Sequence, residues 1–305
     1  MKYLIIGAGG TGGLMAFNMA KGHKDVTVIA RGEHLKAIQT NGLTVNRSYV
    51  PEVETVKVKA TDMDHYDESP DVIFVCVKYY SLDSCVPFIK RVAHNKTIVI
   101  PILNVFSTGL TLQAQLPELL VTDGCMYISS FIEAPGVLKQ TGSIFRVIFG
   151  VRDEKDSRPE LQQIAQDLCD CGIDAHVSDE IQREALEKFS YVSPIGAAGV
   201  YLNATAGEFQ KEGKARDLFA QMIREVMALG VAMGHPLSAD YVPINLHILD
   251  GLTPDTTTSM QRDIVANRPS EFDGLVNEIV RLGEQYNVDV SGYKMISEAM
   301  KDKII

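Results

Sequence analysis

The run Gly7-Ala8-Gly9-Gly10-Thr11-Gly12 constrains this chain more than any other feature. It is a GxGxxG that directly follows an apolar β-type stretch, residues 2–6, and opens an amphipathic stretch reaching about Lys21. In that strand–turn–helix setting each glycine has its own reason. The first permits a tight turn, the second lets backbone approach a pyrophosphate, and the third lets helix and strand pack closely. The helix N-terminus adds amide donors and partial positive charge at the same place. A bare GxGxxG says little, but this one has a βαβ context. It predicts a dinucleotide site with Gly7, Ala8, Gly9, Gly10, Thr11 and Gly12 around the phosphates.

The end of the second expected strand, residues 26–30, bears on which dinucleotide. An NAD site places Asp or Glu about 20 residues past the glycines, accepting from the ribose 2′-hydroxyl. Here Val28-Ile29-Ala30 is followed by Arg31. A carboxylate would repel a 2′-phosphate, whereas a guanidinium binds it with charge-assisted hydrogen bonds. Arg31 is therefore either a 2′-phosphate ligand or a solvated strand-end arginine. NADP(H) is the favoured cofactor, while Glu33, two residues further, leaves room for some use of NAD.

Further along, 71–78 (DVIFVCVK) and 97–104 (TIVIPILN) are continuous apolar runs of the kind buried in parallel sheets. Stretches 124–131 and 143–150 read as later strands, with turn signals at Pro135-Gly136 and Thr141-Gly142, and 152–160 opens helical material. Ser178-Asp179-Glu180 looks like a helix start, a capping hydroxyl followed by acids. Beyond it no convincing strand occurs, and 215–233 and 271–286 carry a 3.6-residue period. The expected division is an α/β dinucleotide-binding domain over 1–178 and an all-α domain over 179–305.

Length and composition agree with this and exclude other classes. The 305 residues suit two domains, and 46% hydrophobic content is too high for a disordered chain. No run approaches the ~18 apolar residues of a spanning helix. The net charge of −10 disfavours a general nucleic-acid binder. It is also evenly spread, with 17 basic and 22 acidic residues in 1–180 against 12 and 17 in 181–305. Five cysteines without a CxxC read as reduced, mostly buried thiols, and with no signal peptide a cytoplasmic location is expected. The seven histidines show no HxxxH or HExxH spacing, so no metal is expected.

Three polar residues stand out in apolar surroundings. Lys78 and Asn104 end the two buried runs and are either crevice residues or plain surface strand ends. Lys188 lies among Ile181, Ala185, Phe189 and Val192 at helical spacing, so it either snorkels to water or faces a cleft. A partly buried amine near a carbonyl can supply a proton as hydride reaches carbon.

These residues, with Ser259-Met260-Gln261-Arg262-Asp263 and Arg268-Pro269-Ser270-Glu271-Phe272-Asp273, resemble the ketopantoate reductase family over essentially the whole chain. The resemblance implies a Rossmann-type N-terminal domain and a helical C-terminal domain of the 6-phosphogluconate-dehydrogenase C-terminal type, with the active site between them. It implies NADPH-dependent reduction of a 2-oxo acid, foremost ketopantoate to pantoate, in pantothenate and coenzyme A biosynthesis. Lys188 would be the general acid and Glu271 would hold it and contact the substrate hydroxyl. Ser259 would bind the substrate carboxylate, Asn104 would sit beside nicotinamide and carboxylate, and Lys78 would line the cofactor crevice. The expected partner is a small 2-oxo acid, with neither nucleic acid nor membrane, for a monomer or homodimer.

The departures lie on one helix. The family pattern W-x-K-x-x-x-N-x-x-x-N meets Leu186, Lys188, Val192 and Gly196 here. Positions i, i+4 and i+8 share a helix face, so an amide-lined wall is expected to become apolar and open. Two alternatives follow. One is a reductase of the same fold acting on a less polar 2-oxo acid or carbonyl compound. The other is a non-catalytic NADP-binding sensor, against which the retention of Lys188 and Glu271 argues.

Overall fold

In the computed structural model, which describes residues 1–301, 303 and 304, the N-terminal apolar run becomes β1 (Lys2–Ile6). It leads into α1 (Gly10–Lys21), β2 (Asp25–Ile29), α2 (Gly32–Asn41), β3 (Leu43–Arg47), β4 (Val53–Val56) and β5 (Lys59–Thr61). Then come β6 (Val72–Val75), α3 (Leu82–Val92), β7 (Ile98–Pro101), α4 (Thr108–Gln115) and β8 (Leu120–Val121). Six of these strands form an all-parallel sheet in the order β5-β2-β1-β6-β7-β8. This is a Rossmann-type order, and the glycine run follows β1, next to the point where the order reverses between β1 and β6.

Both faces of this sheet are covered, which is why β6 and β7 are buried at every residue. Successive β1 side chains point to opposite sides. Tyr3 and Ile5 join one core with Leu14, Met15 and Phe17 of α1, while Leu4 and Ile6 join another with Leu82, Val86 and Ile89 of α3. The 71–78 and 97–104 runs are shorter as strands than their apolar length suggests. Lys78 and Asn104 each lie three residues past the strand end.

A second sheet accompanies the first. It is built on β9 (Asp123–Ala134) and β10 (Val137–Gly150), followed by α5 (Pro159–Asp170) and β11 (Asp174–Val177). β10 pairs antiparallel with β9 on one side and parallel with β3 and β11, and β3 pairs with β4. Pro135-Gly136 is the expected turn, with Gly136 at φ +75°. Thr141-Gly142 is not a turn; it lies inside β10, where the register slips between Gln140 and Phe145. The dipeptide marks a strand irregularity, the other common use of glycine in strands.

The chain folds into two compact units, Met1–Leu103 with Ser107–Ile181, and Asn104–Phe106 with Gln182–Ile305. The second unit is helical among its described residues. It comprises α6 (Ile181–Leu202), α7 (Ala206–Phe209), α8 (Lys214–Ala232), α9 (Tyr241–Asp250) and α10 (Ser259–Val265). After a π-turn (Asp273–Asn277) come α11 (Glu278–Tyr286) and α12 (Ser291–Met300). Among the described residues no helix is long and apolar enough to cross a membrane.

The long helix α6 contains Pro194, which cannot donate to the carbonyl four residues back, that of Ser190. Asn245 of α9, itself buried, repairs the loss: its Nδ2 donates to the Ser190 carbonyl (3.1 Å) and to Ser190 Oγ (2.9 Å). One helical turn later, Ser193 Oγ donates to the Leu275 carbonyl of the π-turn (2.6 Å) and meets the Tyr293 hydroxyl at 2.7 Å. Leu186, where the resemblance has tryptophan, is fully buried against Gly230 of α8. Lys188 therefore rides on a helix pinned by two buried polar struts.

Candidate active site

The glycine run turns sharply out of β1. Gly7 has φ +107°, and a Cβ there would lie 2.8 Å from the Cys76 carbonyl oxygen. A Cβ on Gly12 would fall 2.1 Å from the Gly7 carbonyl oxygen, so α1 and its own strand leave no room for a side chain. Gly10 is closed in by the Ser130 backbone of β9. Gly9 differs. It is the N-cap of α1, and a Cβ on it would meet nothing within 4 Å. Among the described residues no side chain caps this helix, and no acid occupies its first turn. An uncapped helix start whose cap glycine faces open space fits a diphosphate, with the dipole and the amides favouring the anion.

Arg31 is exposed and forms the extended N-cap of α2, without capping it through its side chain. Lys78 is half-buried at the start of the 3-10 turn Tyr79–Ser81.

In the second unit one contact is direct. Lys188 Nζ donates to Asn104 Oδ1 at 2.9 Å, so the ammonium is anchored to an amide and does not simply reach for water. Phe106, two residues beyond Asn104, brings its ring within 6.1 Å of that of Phe189. This short segment joins the helical unit through those two side-chain contacts.

Glu271 and Ser259 reach α6 through their neighbours. Glu271 is buried, with 3% of its surface exposed, and its carbonyl accepts from Leu275 N–H (2.9 Å). Leu275 in turn accepts from Ser193. Ser259 is half-buried as the first residue of α10, just behind a capping box formed by Thr258 and Gln261. Its neighbour Met260 is buried, and a Cβ on Gly196 would sit 3.0 Å from the Met260 methyl. The i+8 position on the lysine face is thus filled by a methionine, not open as the sequence implies. The i+4 residue, Val192, is half-buried.

Sequence reasoning missed Ser193, Asn245 and the filling role of Met260. Pro194 was the available signal for Asn245, because a proline within a buried helix requires some donor for the carbonyl it strands. The Met260 contact had no local signal, since it joins residues 64 positions apart.

A glycine-cradled helix start on a Rossmann-type sheet, together with a lysine held by an amide on a buried helix, is the equipment of a dinucleotide-dependent oxidoreductase. Residues 3–154 match the family described as ketopantoate reductase PanE/ApbA, and residues 180–303 match its C-terminal partner, ketopantoate reductase PanE/ApbA C terminal. The chain belongs to this family, whose members are oxidoreductases acting on CH–OH groups with a nicotinamide dinucleotide. A 2-dehydropantoate 2-reductase of Pyrococcus abyssi is 27% identical over 299 residues, covering 95% of this chain and 93% of the relative. Among solved structures, a PanE/ApbA family ketopantoate reductase from Ralstonia eutropha superposes with a TM-score of 0.89 at 21% identity, over 99% of this chain and 98% of the other. A D-mandelate dehydrogenase with NADH and anilino(oxo)acetate gives 0.86 at 21% identity, over 99% and 98%. At such identities the structural likenesses speak for the fold.

Proposed function

We propose that this chain is an NADPH-dependent reductase of a 2-oxo acid, with ketopantoate, reduced to pantoate, the leading substrate. The observation that carries the reading is the Lys188–Asn104 hydrogen bond on a rigidly held helix. When bound, the dinucleotide would supply the hydride that reduces the carbonyl carbon. The chain's own residues do the rest. Lys188 gives its proton to the 2-oxo oxygen as negative charge develops there, and Asn104 holds the ammonium in line for that transfer. In this reading buried Glu271 holds the lysine in place and contacts the substrate hydroxyl, and Ser259 binds the substrate carboxylate. Gly7 to Gly12 would cradle the diphosphate, Arg31 would bind the 2′-phosphate and Lys78 would line the crevice near the cofactor.

A second reading has an observation of its own. Val192 and the Met260-filled space at Gly196 offer carbon where the family pattern has two amides. This favours a less polar 2-oxo acid. Steady-state NADPH oxidation over ketopantoate, branched aliphatic and aryl 2-oxo acids separates the two. Preference for ketopantoate upholds the first reading, and preference for an apolar acid by tenfold or more upholds the second. Tight NADPH binding with no turnover of any acid would leave a cofactor-binding sensor.

A further inference from the structure

His34 lies on the first turn of α2, three residues after Arg31, and it is half-buried between two other segments. Its Nε2 is 2.9 Å from the Ala8 carbonyl oxygen, and its Nδ1 is 3.0 Å from the backbone nitrogen of Gly136, in the β9–β10 turn. The partners settle the protonation of the ring. Gly136 N–H is a donor, so Nδ1 must be a bare acceptor. The Ala8 oxygen is an acceptor, so Nε2 must carry the hydrogen. Both bonds exist together only in the neutral Nε2–H tautomer.

The Ala8 oxygen is half of a peptide unit whose other half is the N–H of Gly9. That unit is planar and trans, so its C=O and N–H point in opposite directions. Fixing Ala8 C=O on His34 therefore fixes Gly9 N–H away from His34. Gly9 is the N-cap of α1, and it is the glycine whose open side fits a phosphate.

We infer that His34 is a positioning residue for the dinucleotide: its neutral ring ties the phosphate loop to α2 and to the β9–β10 turn, and so aims the Gly9 amide at the bound diphosphate. The inference rests on the dinucleotide reading and concerns the part common to NADPH and NADH. It also places Arg31 and the phosphate loop on one frame, since the ring that grips Ala8 stands one turn from the arginine.

Three measurements on the full chain test it. In the unliganded protein, histidine ¹⁵N NMR should show His34 as the Nε2–H tautomer. Fluorescence titration should show His34→Ala weakening NADPH and NADH alike, by about tenfold for the two hydrogen bonds lost. At saturating dinucleotide, kcat and the KM for the oxo acid should stay within about twofold. His34→Gln, whose amide can accept from Gly136 and donate to Ala8, should recover most of the affinity. An Nδ1–H or doubly protonated ring at neutral pH overturns the inference. So does unchanged affinity in His34→Ala, or equal loss in the Ala and Gln variants, which would make the ring mere filling. Wild-type protein that binds neither dinucleotide instead overturns the cofactor reading itself, a failure visible before any variant is made.

Discussion

The phosphate loop and the lysine helix are built in opposite ways. The loop works through backbone, and its chemistry depends on where side chains are absent: at Gly9 for a ligand, and at Gly12 for a carbonyl 2.1 Å from the missing Cβ. The lysine helix works through side chains whose placement is decided by residues far away in sequence, namely Asn104, Asn245, Leu275 and Met260. A site made of missing atoms must be written as a fixed glycine spacing. A site made of side chains can be rewritten one contact at a time. The loop is generic to its cofactor, while the helix carries Leu186, Val192 and Gly196 where the resemblance implies a tryptophan and two asparagines.

The strongest way to break this comparison is to remove the proton donor. Lys188→Ala should lower kcat by about 10²–10⁴, the usual range for a positioned general acid, while NADPH affinity by fluorescence titration stays within about threefold. A variant that kept its rate would strip the helix of its chemical role. On the other side, Arg31→Ala should raise the Kd for NADPH by about 10–100-fold, as expected for lost charge-assisted hydrogen bonds, and leave NADH unaffected. Equal loss for both would mean that Arg31 shapes the loop and does not read the 2′-phosphate.

Stability separates the two regions as well. Asn245→Ala strands a buried carbonyl that Pro194 cannot serve, at a cost of about 1–3 kcal/mol. A chemical denaturation midpoint should fall accordingly. If Asn245→Ala is neutral, α6 is held by packing alone, and the polar struts are incidental.

The legibility of each region in the sequence follows from the same contrast. The parallel sheet was readable because β6 and β7 are apolar at every position, and only strands covered on both faces demand that. The second sheet was half readable. Its long hairpin shows, but β3 and β4 alternate in burial and carry no such signature. Lys188 could be picked out by its apolar neighbours, yet nothing nearby said which way its ammonium points. That depends on Asn104, 84 residues earlier, in a stretch that leaves its strand and joins the other unit. Gly196 misled for the same reason: a glycine suggests space, but Met260 fills it from another helix.

That filled space makes substrate choice a subtler test. Val192→Asn places one amide on the lysine face at a half-buried position. It should shift the kcat/KM ratio toward ketopantoate, over an apolar 2-oxo acid of similar size, by about tenfold, the worth of one hydrogen bond to substrate. Gly196→Asn should not do the same, because its side chain would have to displace Met260. If both variants shifted preference equally, Met260 would not be guarding that position.

The smallest expected effect concerns pH and returns to the loop. Burial lowers the pKa of His34 below its ordinary 6.5, and the Ala8 carbonyl only partly opposes this. A base with a depressed folded-state pKa lends its full stabilisation above the ordinary value and loses it as pH falls through the lowered one. Protonation would place a hydrogen on Nδ1, facing the Gly136 N–H, and break that side of the bridge. Dinucleotide affinity should therefore be flat near neutral pH and weaken a few-fold in mild acid. A complication must be removed first. A phosphate monoester also titrates at a pKa of about 6, so the 2′-phosphate of NADP would weaken its own hold on Arg31 over the same range. NAD⁺ lacks that group and survives acid, whereas the guanidinium stays charged throughout. The acid limb should thus persist with NAD⁺ in the wild type and vanish in His34→Gln. If it appears only with NADP⁺, the titrating group is on the ligand, and the loop is held by its glycines alone.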